Sequence, residues 1–307
     1  MPRRNAEQGS PSVRGPVVVA VDGSQSSLAA VAVAVEEARS RRCALRVVHA
    51  FIWPLMHVPL GPSELGPSDG GLRHQAERLL DEAAERAREL APELEITRAL
   101  VTGEPLTVLE AESREATLMV VGSRGLGRFV GLLVGSTAVH LAAHGRCPVL
   151  VVRGRGEPTG DVLVGVDGGP TDEAALAFAF AAASRYGVGV TALHAWDGWS
   201  TPVELGPGDP HTAVYEKHHL QHQEERLLAE AVSGRRATYP DVPVERRLVR
   251  DHPRQALIEA SGTARLLVVG ARGRGGFTGL LLGSVSQAVL QHARCPVAVV
   301  RADGQGR

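Results

Sequence analysis

The chain has 307 residues, of which 44% are hydrophobic and 22% charged, and its formal net charge is −1. At roughly 100–200 residues per domain, that length points to two domains. The near-neutral balance gives no electrostatic pull toward nucleic acid or an anionic membrane, so neither is an expected partner. Lys217 is the only lysine, which removes Schiff-base and P-loop lysine chemistry from nearly the whole chain.

Met1 to Pro16 carries arginines with no apolar stretch behind them, so residues 1–14 read as a disordered tail rather than a targeting signal. Val17–Val21 is then a short valine-rich run, the pattern of a strand buried on both faces. Ser26 to Arg41 is ambiguous alone, because Val31, Val33 and Val35 alternate as in a strand. Leu45–Val48 is a second buried strand, and a Pro/Gly-rich connection follows it. Gln75–Leu90 is a charged amphipathic helix with leucines at 79, 80 and 90. Glu95–Val101 is a more amphipathic strand suited to an edge, and a short helix follows Pro105. Leu118–Val121 and Val149–Val152 are again apolar strands, with a short helix after Gly135 between them.

The order then starts again. Val17-Val-Val-Ala-Val-Asp22-Gly23 returns as Val162-Leu-Val-Gly-Val-Asp167-Gly168, and His49-Ala50 as His194-Ala195, both displaced by 145 positions. Glu77-Arg-Leu-Leu80 returns as Glu225-Arg-Leu-Leu228, displaced by 148, so three extra residues belong to the Pro/Gly-rich connection of the second copy. The second copy settles the ambiguous segment, because Glu173-Ala-Ala-Leu-Ala-Phe-Ala-Phe-Ala-Ala-Ala favours helix. Such a long period makes each copy a whole domain, at 15–153 and 161–302, with a Gly/Pro-rich linker at 154–160. Strand and helix alternate in each, which favours two tandem open, doubly wound parallel five-stranded sheets with helices on both faces.

The informative constellation follows the fourth strand. Gly122-Ser-Arg-Gly125, nine residues, and Gly135-Ser136 match Gly270-Ala-Arg-Gly273, nine residues, and Gly283-Ser284. One G-x-x-G means little in a chain with 35 glycines, but the same interval kept in two diverged copies means much more. Glycines at a strand end let backbone N–H groups face an anion, and a helix N-terminus stabilises negative charge. Ser136 either caps that helix or contacts a phosphate. Asp22 and Asp167 end the first strand of each copy, where an open α/β sheet binds ligands if strands one and four are neighbours. Each aspartate either reaches the sugar or base or caps the following helix, and the two roles are compatible.

Valine-rich strand plus Asp, the G-x2-G-x9-G-S loop and the closing Arg-Cys-Pro-Val segments at 146–149 and 294–297 resemble the universal stress protein family in tandem form. The likeness covers nearly everything outside the tails and linker. It implies a Rossmann-like fold of the nucleotide-binding α-hydrolase type and the ATP-binding branch, with Mg2+ accompanying ATP. By position, Ala20, Asp22 and Ala50 line the implied adenosine pocket, and Gly122, Arg124, Gly125, Gly135, Ser136 and Thr137 hold the phosphates. In the second copy these become Gly165, Asp167 and Ala195, then Gly270, Arg272, Gly273, Gly283, Ser284, Val285 and Ser286. The resemblance also implies pairing of the halves through Val149–Val152 and Val297–Val300, and leaves open a further homodimer. Two departures stand out: a hydroxyl lies two positions past the glycine-serine's serine at Ser286 but not at Ala138, and Asp251 replaces Gly103.

Other signals point to structure. Gly125-Leu-Gly127 with Gly131, and Gly273-Arg-Gly275 with Gly279, resemble a dinucleotide fingerprint but follow the fourth strand instead of the first. His218, His219 and His222 lack an evident third zinc ligand partner and read as a solvated face. His49 and His194 read as packed side chains. Trp53, Trp196 and Trp199 either cover the nucleotide or pack beneath their loops. Arg128 and Arg274, like Arg124 and Arg272, either reach phosphate or lie in solvent. Cys43, Cys147 and Cys295 form no CxxC pair, which suits reduced, inert thiols in the cytoplasm. No apolar run approaches the ~20 residues of a membrane span.

The expectation is thus an ATP-binding stress-response protein that acts through nucleotide-dependent conformation on a protein partner not named by the sequence. Nucleotide would order the loops at 52–74 and 196–211. The alternatives are a slow ATP hydrolase or phosphotransferase in the same pocket, and a nucleotide-free dimerising scaffold.

Overall fold

The computed structural model describes residues 15–52, 70–125, 134–153, 159–196, 210–274 and 281–302. The N-terminal tail, Trp53, Gly127, Arg128, Gly131, Trp199, Gly275, Gly279, most of the two long loops and most of the linker lie outside these, as does the side chain of His218.

The first copy runs β1 (Val17–Ala20), α1 (Gln25–Arg41), β2 (Leu45–Phe51), α2 (Gly70–Leu90), β3 (Ile96–Thr102), α3 (Pro105–Glu112), β4 (Leu118–Gly122), α4 (Ser136–His144) and β5 (Val149–Val152). The second repeats it as β6 (Val162–Gly165), α5 (Asp172–Tyr186), β7 (Val190–Ala195), α6 (Pro210–Thr238), β8 (Val244–Val249), α7 (Pro253–Ala260), β9 (Leu266–Gly270), α8 (Ser284–His292) and β10 (Val297–Val300). The alternating valines at 31, 33 and 35 belong to a helix, as the alanine-rich copy indicates: Val31 and Val35, four apart, are both buried on its inner face.

The strand order is β3-β2-β1-β4-β5-β10-β9-β6-β7-β8. Within each copy the pairs are parallel, and β1 lies between β2 and β4, so the winding reverses at β1/β4. The same reversal falls at β6/β9. The expected two sheets are continuous as one, because β5 and β10 pair antiparallel with Val297 opposite Val151, Ala298 opposite Leu150 and Val299 opposite Val149. Leu150 and Ala298 are equivalent positions, so a pseudo-twofold axis passes between them. Pairing removes the two edges that β5 and β10 would otherwise expose.

Two apolar layers run the length of the sheet. Val17, Val19, Leu150 and Ala298 face the layer under α1, α2, α5 and α6, while Val18, Val149, Val151 and Val297 face the one under α3, α4, α7 and α8. Burial of both faces is what makes these strands continuous valine runs. The seam also has polar fastenings. Arg153 donates to the carbonyls of Val289, Leu290 and Gln291 at the end of α8. Its equivalent, Arg301, donates to Ala143 O at the end of α4. Cations are well placed at a helix C-terminus, where carbonyls lack intrahelical partners. No helix among the described residues is long and apolar enough to cross a membrane.

Candidate functional site

At the carboxyl end of β1 the chain must turn sharply into α1, and Gly23 supplies a positive φ of 84°. Asp22 Oδ1 accepts from Ser24 N at 3.0 Å, and Ser24 is the cap of α1, its Oγ accepting from Ser27 N at 3.1 Å. The aspartate therefore orders the turn without itself capping the helix. The serines of that turn also fasten the glycine loop: Ser24 Oγ donates to Arg124 O and Arg124 N donates to Ser26 Oγ, both at 3.2 Å.

The glycines of the loop are required by close approach. A Cβ at Gly122 would stand 2.7 Å from Ser26 C and O, and one at Gly125 would stand 2.5 Å from Asp22 Oδ2. Gly135 N donates to Ser123 O at 2.8 Å, and Gly135 lies beside Gly125. Gly135 is the N-cap of α4 and brings no side-chain cap. Among the described residues no side chain caps the first N–H groups of α4, and Ser136 is exposed at the first helical position. An anion there gains ~0.3–1 kcal/mol from the helix dipole alone. Thr137 is half-buried beside it, and Ala20 and Ala50 lie at strand ends, packed on the α3/α4 layer.

The second copy rebuilds this frame. Gly168 turns with a φ of 75°, and Asp167 Oδ1 accepts from Gly169 N at 2.8 Å. Asp167 Oδ2 accepts from Arg274 N at 2.9 Å and lies where a Cβ on Gly273 would be. Thr171 Oγ1 donates to Arg272 O at 2.5 Å, filling the space a Cβ on Gly270 would need. Gly283 N donates to Ala271 O at 2.7 Å, and Gly283 caps α8 without a side chain. Ser284 is exposed and Val285 half-buried. Ser286 is 4% exposed and its hydroxyl donates to Gly270 O at 2.6 Å, tying α8 to the glycine turn. Gly165 and Ala195 end β6 and β7. Arg124 and Arg274 are exposed and Arg272 half-buried.

Two features lay outside the sequence reading. Asp167 N and Gly168 N donate to Asp172 Oδ2 at 3.1 and 2.7 Å, whereas in the first copy Asp22 N faces Ser27 Oγ at 3.4 Å. Burial, then the neighbouring Asp167 charge, pushes the Asp172 carboxyl up to about 6. Position 172 is position 27 displaced by 145, so a residue-by-residue overlay of the repeat exposes this exchange. The second is His194. Its Nδ1 bonds Val166 O at 2.6 Å, as His49 Nδ1 bonds Val21 O at 2.7 Å, but His194 Nε2 also meets Glu224 Oε2 at 2.8 Å. Asp251 turns its Oδ1 to His252 N at 2.6 Å. Trp196 lies 5.7 Å from the Arg250 guanidinium.

Among known proteins, the profile of the Universal stress protein family matches residues 14–153 and 159–301. A universal stress protein of Mycobacterium tuberculosis is 40% identical over 296 residues, spanning 93% of this chain and 96% of that one. One from Mycolicibacterium smegmatis is 38% identical over 298 residues, with the same coverage. The fold is shared with the crystal structure of a universal stress protein from Archaeoglobus fulgidus, at a TM-score of 0.67 and 18% identity over 94% of this chain and 98% of that one.

Proposed function

The chain belongs to the universal stress protein family, and from that premise we propose that it binds ATP at two sites and signals by conformation. The observation that carries the proposal is the juxtaposition, twice over, of an aspartate, two close-approach glycines and an uncapped helix N-terminus at a reversal of sheet winding. Gly122, Gly125, Gly135, Ser136 and Thr137 hold the phosphates of the first nucleotide. Gly270, Gly273, Gly283 and Ser284 do so for the second, with Val285 contributing its N–H. Asp22 and Asp167 face the sugar, and the small Ala20, Ala50, Gly165 and Ala195 leave room for the base. The arginines at 124 and 272 add positive charge at the loop.

The donor set suits an anion better than a bare cation. Among the described residues no group of three or more His, Cys, Asp or Glu side chains could hold a metal, so Mg2+ enters with the phosphates and keeps its waters. Ser286 contributes by fixing the start of α8. Adenine specificity rests on the family resemblance, because the glycine loop selects only for phosphate.

The conformational output is supported by wiring to the seam. Ser123 N donates to Val152 O and Ala271 N to Val300 O, so each glycine loop hangs on a seam strand. The next residues, Arg153 and Arg301, hold the far end of the opposite half's phosphate-binding helix. Nucleotide that reorders one loop therefore acts on the surface shared by both halves.

Equilibrium dialysis of the nucleotide-stripped chain against Mg-ATP tests the proposal. Saturable uptake is expected, reduced by one equivalent in Gly125→Val and again in the Gly125→Val, Gly273→Val double variant. No uptake at millimolar ATP contradicts it.

A further inference from the structure

The two copies share a backbone plan but not the charge beneath it. We infer that the Asp172 carboxylate, standing where the first copy has the Ser27 hydroxyl, makes nucleotide binding at the second site proton-linked through Asp167. The inference rests on the nucleotide reading above and adds a regulation of one of its two sites.

Among the described residues Asp172 makes no hydrogen bond to the glycine loop. Its Oδ2 accepts the N–H groups of Asp167 and Gly168, at the foot of the turn that presents the Asp167 side chain. Asp167 in turn holds the glycine loop through Arg274 N and abuts Gly273. Asp172 is therefore a positioning residue. Two carboxylates in one turn repel each other, and an anionic ligand held against Asp167 makes a charge on Asp172 costlier still. Binding then draws a proton onto Asp172, and affinity falls as pH rises. The carboxyl of Asp172, already at about 6 through burial and the Asp167 charge, puts the onset of that fall near neutrality.

The surrounding charges do not cancel this. A cavity of about 460 Å³ opens beside Asp172, bordered by Glu173 on its own helix, by Glu224, Arg226 and Glu230 of α6, and by Arg274 of the glycine loop. Glu224 is paired with His194 and Glu173 with Arg235. At the first site the matching group is a serine hydroxyl, 3% exposed in its residue, which does not titrate in this range.

Calorimetric titration of the stripped full chain with ATP, at pH 5.5 and 7.5 in buffers of different ionisation enthalpy, tests the linkage. Gly273→Val isolates the first site and Gly125→Val the second. Ionisation of the nucleotide itself affects both alike. Affinity at the second site is expected to fall about sixfold more than at the first between these pH values, for a coupling of about one pK unit, with measurable proton uptake. Adding Asp172→Ser to Gly125→Val should remove both effects, and adding Ser27→Asp to Gly273→Val should bring them to the first site. If Asp172→Ser does not fold, Asp172→Asn, which keeps an acceptor for the two N–H groups, takes its place. Equal pH dependence at the two sites, or uptake that survives loss of Asp172, overturns the linkage and leaves nucleotide binding standing. No binding at either site at either pH overturns both.

Discussion

At the end of β1 the N–H of Asp22 faces a serine hydroxyl, while at the end of β6 the N–H of Asp167 faces a second carboxylate. Around this exchange the two sites keep the same construction: a positive-φ glycine after the aspartate, a hydroxyl donating to the carbonyl of Arg124 or Arg272, and a glycine at the N-cap of α4 or α8. The contrast separates two kinds of constraint. Gly122, Gly125, Gly270 and Gly273 are held in place by hard contacts, which leave no room for a side chain. The group at position 27 or 172 needs only to accept a backbone N–H, so a hydroxyl and a carboxylate both serve the fold while setting different fields.

Blocking one loop at a time has the largest expected effect. Gly125→Val should weaken ATP binding at the first site, and Gly273→Val at the second, each on the order of 100-fold, or about 3 kcal/mol. Dialysis against labelled ATP reads this, and a loss at both sites from either change would break the comparison. Stability responds next. Gly122→Ala meets the backbone of Ser26, and Gly270→Ala meets Thr171, so each should cost about 1–3 kcal/mol in urea unfolding.

The sharpest contrast in sign comes from Asp172→Asn. The folded Asp172 carboxyl is raised, to about 6, so the stability linked to it is full below its unfolded value and lost as pH rises through the folded one. The substitution should therefore stabilise the chain at pH 8, by on the order of 1 kcal/mol once screening of a partly exposed group is allowed for. At pH 4 the gain should vanish. Ser27→Asn, with no carboxyl to remove, should show no such pH dependence. Thermal melts at both pH values decide it.

The seam offers a test of symmetry. Arg153→Gln and Arg301→Gln should each cost about 1 kcal/mol, because each removes donors from helix-end carbonyls of the opposite half. A large inequality between them would show that the halves do not rely on the seam equally. The mildest effect is chemical. Cys147 and Cys295 are equivalent and buried, and burial pushes both thiols up to about 12. A thiol reagent at pH 8 should label Cys43 in the native chain, and all three cysteines in denaturant.

Much of this was legible in the sequence because the chain states its pattern twice. Val31, Val33 and Val35 cannot be assigned alone, yet their alanine-rich counterpart can, since alanine favours helix irrespective of packing. The glycine spacing located both loops, because close approach leaves glycine as the one residue that fits. What escaped was pairwise and tertiary. Asp172 looks like an ordinary acidic residue in the first turn of a helix until its carboxylate is seen beside Asp167 N. Arg153 and Arg301 read only as the residue after each copy's last strand, because their partners lie more than a hundred positions away. Glu224 became visible only once α6 was laid over β7 and brought to His194. At Asp22 and Ser136 the capping role falls to neighbouring residues, because the points where the helices start put Ser24 and Gly135 at the caps.

The central claim is two nucleotide sites in one chain, and native mass spectrometry of the stripped protein titrated with Mg-ATP tests it most directly. The account predicts two successive nucleotide adducts on the intact chain, one in each single glycine variant and none in the double variant. A chain that stays unliganded through millimolar ATP, or adducts that persist in the double variant, would contradict it.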